Sequence, residues 1–240
     1  MSVALAAALM SWPAPAQQHG DPGIGGTWEA SFARGGNPGA RSAQAPPPLK
    51  PELMAQWQAL QAEIRAANER GEPFATAATF CLPQGVPAMM GGGGPFPTEI
   101  LLSPGQVTII QEAYNQVRRI YLGKAQLPIE DVEPGFYGRS VARWEGDTLV
   151  VETIGIKESV RYREVPHTLD MRIIERIRRV EPDVLWDEVT IEDPAVLEEP
   201  WSFTFVLRRL PDYEMMEYVC EDNREYADSA GVTRLRIETD

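Results

Sequence analysis

Residues 169–220 read LDMRIIERIRRVEPDVLWDEVTIEDPAVLEEPWSFTFVLRRLPDYEMMEYVC. Apolar and polar side chains alternate through most of this stretch with a period of two, the pattern of strands that bury one face. Breaks at Glu181-Pro182-Asp183, at residues 193–199 and at Leu210-Pro211-Asp212 divide it into four successive strands. A three-residue first loop sets Arg176 opposite Glu188, Arg172 opposite Glu192 and Arg178 opposite Trp186. These are favourable cross-strand pairs on one face. A two-residue loop sets Arg176 against Val189 instead, so the charges select the first register. Asp183 tolerates the left-handed conformation that such a loop needs at its end. In the last hairpin, a turn at residues 210–212 pairs Arg208 with Glu214. It aligns Trp201, Phe203, Phe205 and Leu207 with Met215, Glu217 and Val219.

The sheet so drawn is ionic outside and apolar inside, with Met171, Ile173, Ile177, Val189 and Ile191 on the inner face. The same face carries three acids, Glu175, Asp187 and Glu217. A carboxyl group facing an apolar interior must be paired, neutralised or hydrated. Glu175 and Asp187 are diagonal neighbours, within about 8 Å of each other. Two carboxylates in different surroundings can divide acid and base roles. Arg118 and Arg119 are adjacent on another strand, so one of them points inward. Arg143 joins it if its own hairpin turn has three residues. Such arginines either orient a ligand or form a buried ion network that only holds the fold together. His167, in the loop before the central strand, is a candidate general base acting with Glu175, or an exposed loop histidine.

The rest of the chain is organised around this sheet. With 240 residues, 43% hydrophobic and 24% charged, the composition is that of one globular domain rather than a disordered chain. The net charge of −13 is uneven: residues 1–128 hold 8 basic and 8 acidic side chains, residues 129–240 hold 14 and 27. An acidic surface without a basic stripe excludes nucleic acid and anionic membranes as partners. Residues 1–16 read as a signal peptide, with a short apolar core and Ala14-Pro15-Ala16 as cleavage site. No later run is long and apolar enough for a membrane span. Export places Cys81 and Cys220 in an oxidising compartment, where one disulfide closing a long loop is expected. One usable histidine and the absence of a CxxC motif give no metal site, and no motif calls for a cofactor.

Residues 17–50 form a flexible N-terminal segment that includes a first strand at residues 26–32. Its Gly26-x-Trp28 resembles the opening of lipocalin-like barrels, where the tryptophan plugs one end. Residues 51–70 make the one helix: Pro51 suits its first turn, Gly71 its end, and Leu53, Trp57, Leu60 and Ile64 its apolar stripe. A strand is expected at residues 74–81 and a rim loop at residues 89–97. Three strands follow at residues 99–121, turning through Pro104-Gly105 and near Asn115. A hairpin around Glu145-Gly146-Asp147 leaves two- and three-residue turns open. Residues 51–224 are thus one β-rich domain, followed by an acidic tail at 225–240. Ten or eleven sequential strands with one helix predict a mainly β fold, an antiparallel meander closed into a lipocalin-like barrel or strongly curved sheet.

Several motifs together resemble a family of exported bacterial β-rich proteins of unknown function. They are CLPQGVP at 81–87, PGQVTI at 104–109, VRRIYL at 117–122, RWEGDTLVVET at 143–153 and MEYVCE at 216–221. The resemblance spans about residues 50–224. It implies export and a single β-rich domain, and assigns no chemistry.

Three functions fit these readings. One is an exported barrel binding a small, partly apolar ligand. Its pocket would be lined by Ile173, Phe203, Phe205 and Met215, with Arg118, Arg119, Arg143, Glu175 and Glu217 orienting the ligand. Another is a cofactor-free lyase, isomerase or hydratase using Glu175, Asp187 and His167. The third is a structural or envelope-interaction protein with a filled core. Binding demands a cavity of about 300 Å³ or more.

Overall fold

The computed structural model describes residues 22–31, 46–71, 80–91 and 96–220, and the backbone of 225–227 and 233–235. The expected signal peptide, most of the expected strand at 74–81 and most of the acidic tail lie outside the described residues. Nine strands form a closed barrel in chain order. They are β1 (Gly26–Ala30), β2 (Thr98–Ser103), β3 (Gln106–Gln111), β4 (Gln116–Leu122) and β5 (Arg139–Glu145), followed by β6 (Thr148–Ile154), β7 (Arg172–Glu181), β8 (Val184–Glu192) and β9 (Trp201–Arg209). A helix, α1 (Pro51–Glu69), is inserted between β1 and β2, and a separate two-stranded ribbon, β10 (Glu225–Ala227) with β11 (Thr233–Leu235), follows the barrel.

An odd number of strands cannot alternate direction all the way round a closed ring. One neighbouring pair must be parallel, and here it is β4 with β5. The expected meander is therefore broken once. The connection at residues 123–138 runs back along the barrel wall, as a parallel pair requires.

The β7–β8 register is the one that the charges select: Arg176 opposite Glu188, Arg172 opposite Glu192, Arg178 opposite Trp186. It is reached differently. The turn is Pro182-Asp183 alone, between Glu181 and Val184, and a bulge between Arg179 and Glu181 supplies the extra residue. The β5–β6 hairpin turns through Gly146-Asp147 only, with Glu145 paired to Thr148. Gly146 takes a φ of 60° there, as a two-residue hairpin turn prefers.

The last hairpin does not form. The open edge of β9 pairs with β1, Glu29 meeting Arg208 and Ala30 meeting Leu207. Closure onto β1 covers both free edges of the sheet at once, which a further strand added to β9 could not do. Residues 213–219 instead cross the surface. Glu112 holds them by accepting from Tyr213 Oη at 2.8 Å and from the Met216 amide at 2.9 Å. Asn115 Nδ2 donates to the Tyr218 carbonyl at 2.7 Å. The expected Cys81–Cys220 disulfide ends this segment.

Both barrel ends are filled. At the lower end, where β9 finishes, Trp28 is fully buried and its Nε1–H donates to the Ile24 carbonyl at 2.8 Å. The Arg209 guanidinium stands 4.5 Å above its ring and donates to the Gly23 carbonyl at 2.9 Å. Trp28 thus plugs one end, as Gly26-x-Trp28 suggests. The upper end, where β9 begins, is covered by α1, by residues 156–168 and by residues 193–200. Trp57 of α1 donates from Nε1 to the Arg163 carbonyl at 2.9 Å. That bond pins a turn in which Arg163 and Glu164 both take positive φ.

Residues 86–91, expected at least in part as a rim loop, sit in the core. Met89 and Met90 are fully buried in a short turn anchored by the Val86 amide donating to the Phe136 carbonyl at 3.0 Å. A Cβ at Gly91 would lie 2.7 Å from the Phe205 ring, so this backbone runs directly against the inner face of β9. Unbranched methionine fills irregular space of this kind at little rotamer cost.

Candidate functional site

At mid-height the barrel is crossed by a polar layer. Arg118 points inward from β4 while Arg119 is exposed, as strand alternation requires. The Arg118 guanidinium forks onto Glu175: Nη1 donates to Oε1 at 2.8 Å and Nη2 to Oε2. Its Nε–H donates to Ser140 Oγ at 3.1 Å and Nη2 to Thr153 Oγ1 at 2.8 Å, and the two hydroxyls lie 2.8 Å apart. All four polar side chains of this cluster are buried. The layer is a desolvated bidentate ion pair with four of the five guanidinium N–H groups bonded, close to the condition under which such a pair holds inside a protein.

Asp187 lies beside this cluster and does not share in it. Glu175 is paired with Val189 and Asp187 with Ile177, which makes the two acids diagonal neighbours. Asp187 is fully buried, and neither of its carboxyl oxygens has a hydrogen-bond partner among the described residues. Burial pushes its carboxyl well above the usual carboxylate range. The Glu175 and Glu188 charges push the same way, and Arg118 opposes them in part. The neutral acid is therefore the favoured form, with one O–H to give and one oxygen to accept.

Between this layer and the upper end runs an aromatic wall on β9. Trp201, Phe203 and Phe205 all point inward, with ring centroids 5.0 and 5.3 Å apart in succession. Tyr162 from the covering loop stacks on Phe203 at 5.0 Å and on Trp201 at 5.7 Å, and burial raises its hydroxyl pKa. The Trp201 Nε1–H is buried and unpartnered among the described residues. Trp201, Tyr162, His167 and Asp193 line a small, partly open pocket of about 20 Å³ at this end, room for one water molecule. That is far short of the ~300 Å³ that ligand binding demands, so a ligand could enter only by displacing core side chains. A groove of about 360 Å³ lies elsewhere, between outward-facing Arg176, Glu188, Thr190 and Ser202 on the barrel exterior.

Of the candidate residues, the structure gathers Arg118, Glu175, Asp187, Ile173, Phe203 and Phe205 inside the barrel. The others it places elsewhere. Arg119 faces out. Arg143 faces out because the two-residue turn at Gly146-Asp147 settles its hairpin's register, and it bonds Glu145 at 2.6 Å in solvent. Met215 is half-buried and Glu217 exposed on the surface segment, because β1 takes the edge of β9 that these residues were expected to pair with. His167 is buried at the upper mouth and does not meet Glu175. Its Nδ1 is 2.9 Å from the Thr168 carbonyl and its Nε2 is 2.8 Å from the Val160 carbonyl. Asp193 fixes the loop by accepting from the Thr168 amide at 2.7 Å. Glu175 lies four residues beyond Met171 along β7, a further ~13 Å by strand rise.

Sequence reasoning did not single out Ser140, Thr153, Tyr162, Met89 or Met90. For Ser140 and Thr153 the signal was incomplete: both are hydroxyls on the β5–β6 hairpin, whose inward face depended on its turn length. For the methionines there was none, since nothing local shows that their loop folds into the barrel. Among the described residues, no group of three His, Cys, Asp or Glu side chains gathers as metal ligands, and no helix is long and apolar enough to cross a membrane. No protein-family model matches the chain, and no curated protein is significantly similar to it.

Proposed function

We propose that this protein is an exported binding barrel that takes a small, partly apolar molecule into its upper half, where Met89 and Met90 now pack. The observation that carries the reading is Asp187. A fully buried carboxyl with both oxygens unbonded is costly. It is redundant for the fold, because Arg118 already has a matched partner in Glu175. A ligand group that bonds it would recover that cost. The neighbouring wall of Tyr162, Phe203 and Phe205 suits an apolar body, and methionines are the side chains most readily rearranged to admit one. The alanine-rich stretch at residues 1–16, the disulfide and the motif resemblance support export.

Acid–base catalysis in the same barrel would rest on Asp187 alone. Glu175 is held by Arg118, and both nitrogens of His167 face backbone carbonyls.

The test is a thermal-shift screen against small hydrophobic and phenolic compounds, followed by NMR of methionine methyl groups. Binding in the barrel moves the Met89 and Met90 signals, and Asp187→Leu weakens it. Hits that leave both signals in place would remove the interior site. An absence of hits would favour a filled structural barrel. Product analysis on any hit separates binding from turnover.

A further inference from the structure

The interior has a second unpartnered polar group, and its position relative to Asp187 defines the chemistry of an occupant. The Trp201 indole N–H is buried near the upper mouth, and no described residue accepts from it. Asp187 is paired across the sheet with Phe205, four residues further down β9, or about 13 Å along the strand. Phe203 and Phe205 cover the distance between them, with Tyr162 facing the outer part. The inner face of β9 is therefore one aromatic stripe with a hydrogen-bond donor at the outer end and a carboxyl group at the inner end.

Resting on the reading of the barrel as a binding protein, the geometry points to an uncharged, elongated ligand with a hydroxyl group at its deep end and a ketone or ether oxygen at its outer end. A hydroxyl complements a carboxylic acid in both senses, since each group gives one hydrogen bond and takes one. The indole N–H only donates, so its partner must be an acceptor. Charge is selected against. Arg118 is already neutralised by Glu175, so an anion would have no counter-charge, and a cation would have to ionise the buried Asp187. Once the turn at residues 89–91 moves off Phe205, the aromatic stripe can take a slender apolar or conjugated body lying along β9.

The probes are methyl ketones bearing a terminal hydroxyl on alkyl chains of graded length, with binding measured by calorimetry on the full chain. Affinity should peak at the chain length that spans the stripe. At that length, replacing the hydroxyl by methyl should weaken binding about tenfold in the native protein, the effect of one lost buried hydrogen bond, and hardly at all in Asp187→Leu. Replacing the ketone by a methylene should do the same in the native protein and hardly at all in Trp201→Phe. The ligand-side deletions decide the matter alone if either variant fails to fold. Affinity that rises steadily with length and ignores both end groups would overturn the proposed ligand class and leave the binding reading standing. If no chain binds, the proposed ligand class falls, and the binding reading falls with it only if the thermal-shift screen also gives no hits.

Discussion

Removing the carboxylate from the Arg118–Glu175 pair by Glu175→Gln tests whether the polar layer is as dry as its geometry indicates. The substitution keeps the shape and strands the guanidinium. Arg118 would retain only neutral acceptors, the Ser140 and Thr153 hydroxyls at 3.1 and 2.8 Å and the introduced amide oxygen. Breaking a buried pair by deleting one partner costs about 3–5 kcal/mol. For a chain of this size each kcal/mol lowers the melting temperature by roughly 2–4 °C, so a fall on the order of 6–20 °C is expected. Asp187 is the neighbouring acid able to answer the stranded charge. Adding Asp187→Asn closes that escape and should deepen the loss. Replacing the whole pair, Arg118→Met with Glu175→Leu, should recover most of it, because apolar substitutes for buried pairs are often neutral or stabilising and Ser140 and Thr153 still bond each other at 2.8 Å. Urea denaturation of the native protein and the three variants, analysed for midpoint and slope, is the assay. A loss below about 1 kcal/mol for Glu175→Gln, the range of solvent-exposed pairs, would refute the dry layer and the binding site built on it.

Three further outcomes follow from other parts of the molecule. Burial raises the folded-state value of Asp187, so the folded protein keeps a proton that the unfolded chain releases. Its contribution is fully present below the ordinary aspartate value near ~4 and is lost as pH rises through the raised folded value. Asp187→Asn should flatten that decline in a pH series of denaturation curves and stabilise the protein at neutral pH; equal slopes would contradict the burial. Cys81→Ser with Cys220→Ser opens a loop of sequence separation 139, for which loop entropy gives on the order of 5 kcal/mol. A melting temperature unchanged within error would show that the cross-link does not constrain the unfolded chain. Arg143→Ala should leave stability within about 1 kcal/mol of native, since its ion pair with Glu145 is largely exposed. A large loss in thermal melts would mean that the arginine faces inward after all.

A period of two assigns a strand's faces without reference to the rest of the fold. For that reason the inward turn of Glu175 and Asp187, the outward charges of β7 and β8 and the opposite facing of Arg118 and Arg119 were all legible from residue order. Helix α1 was legible because proline, glycine and an apolar stripe mark its bounds locally. Where a single turn residue decided the face, the pattern was silent. Arg143 lies outside because Gly146-Asp147 is a two-residue turn, and a shift of one position exchanges the faces of a strand. Residues 213–219 alternate well enough to extend the sheet, yet β1, far away in the chain, holds that edge. Met89 and Met90 fill the barrel from a loop with no local signal at all. Residue order therefore determined which side chains each strand offers to the interior. Which strands meet, what else enters the barrel, and hence the isolation of Asp187 were decided by ring closure, a long-range condition that no short window of sequence contains.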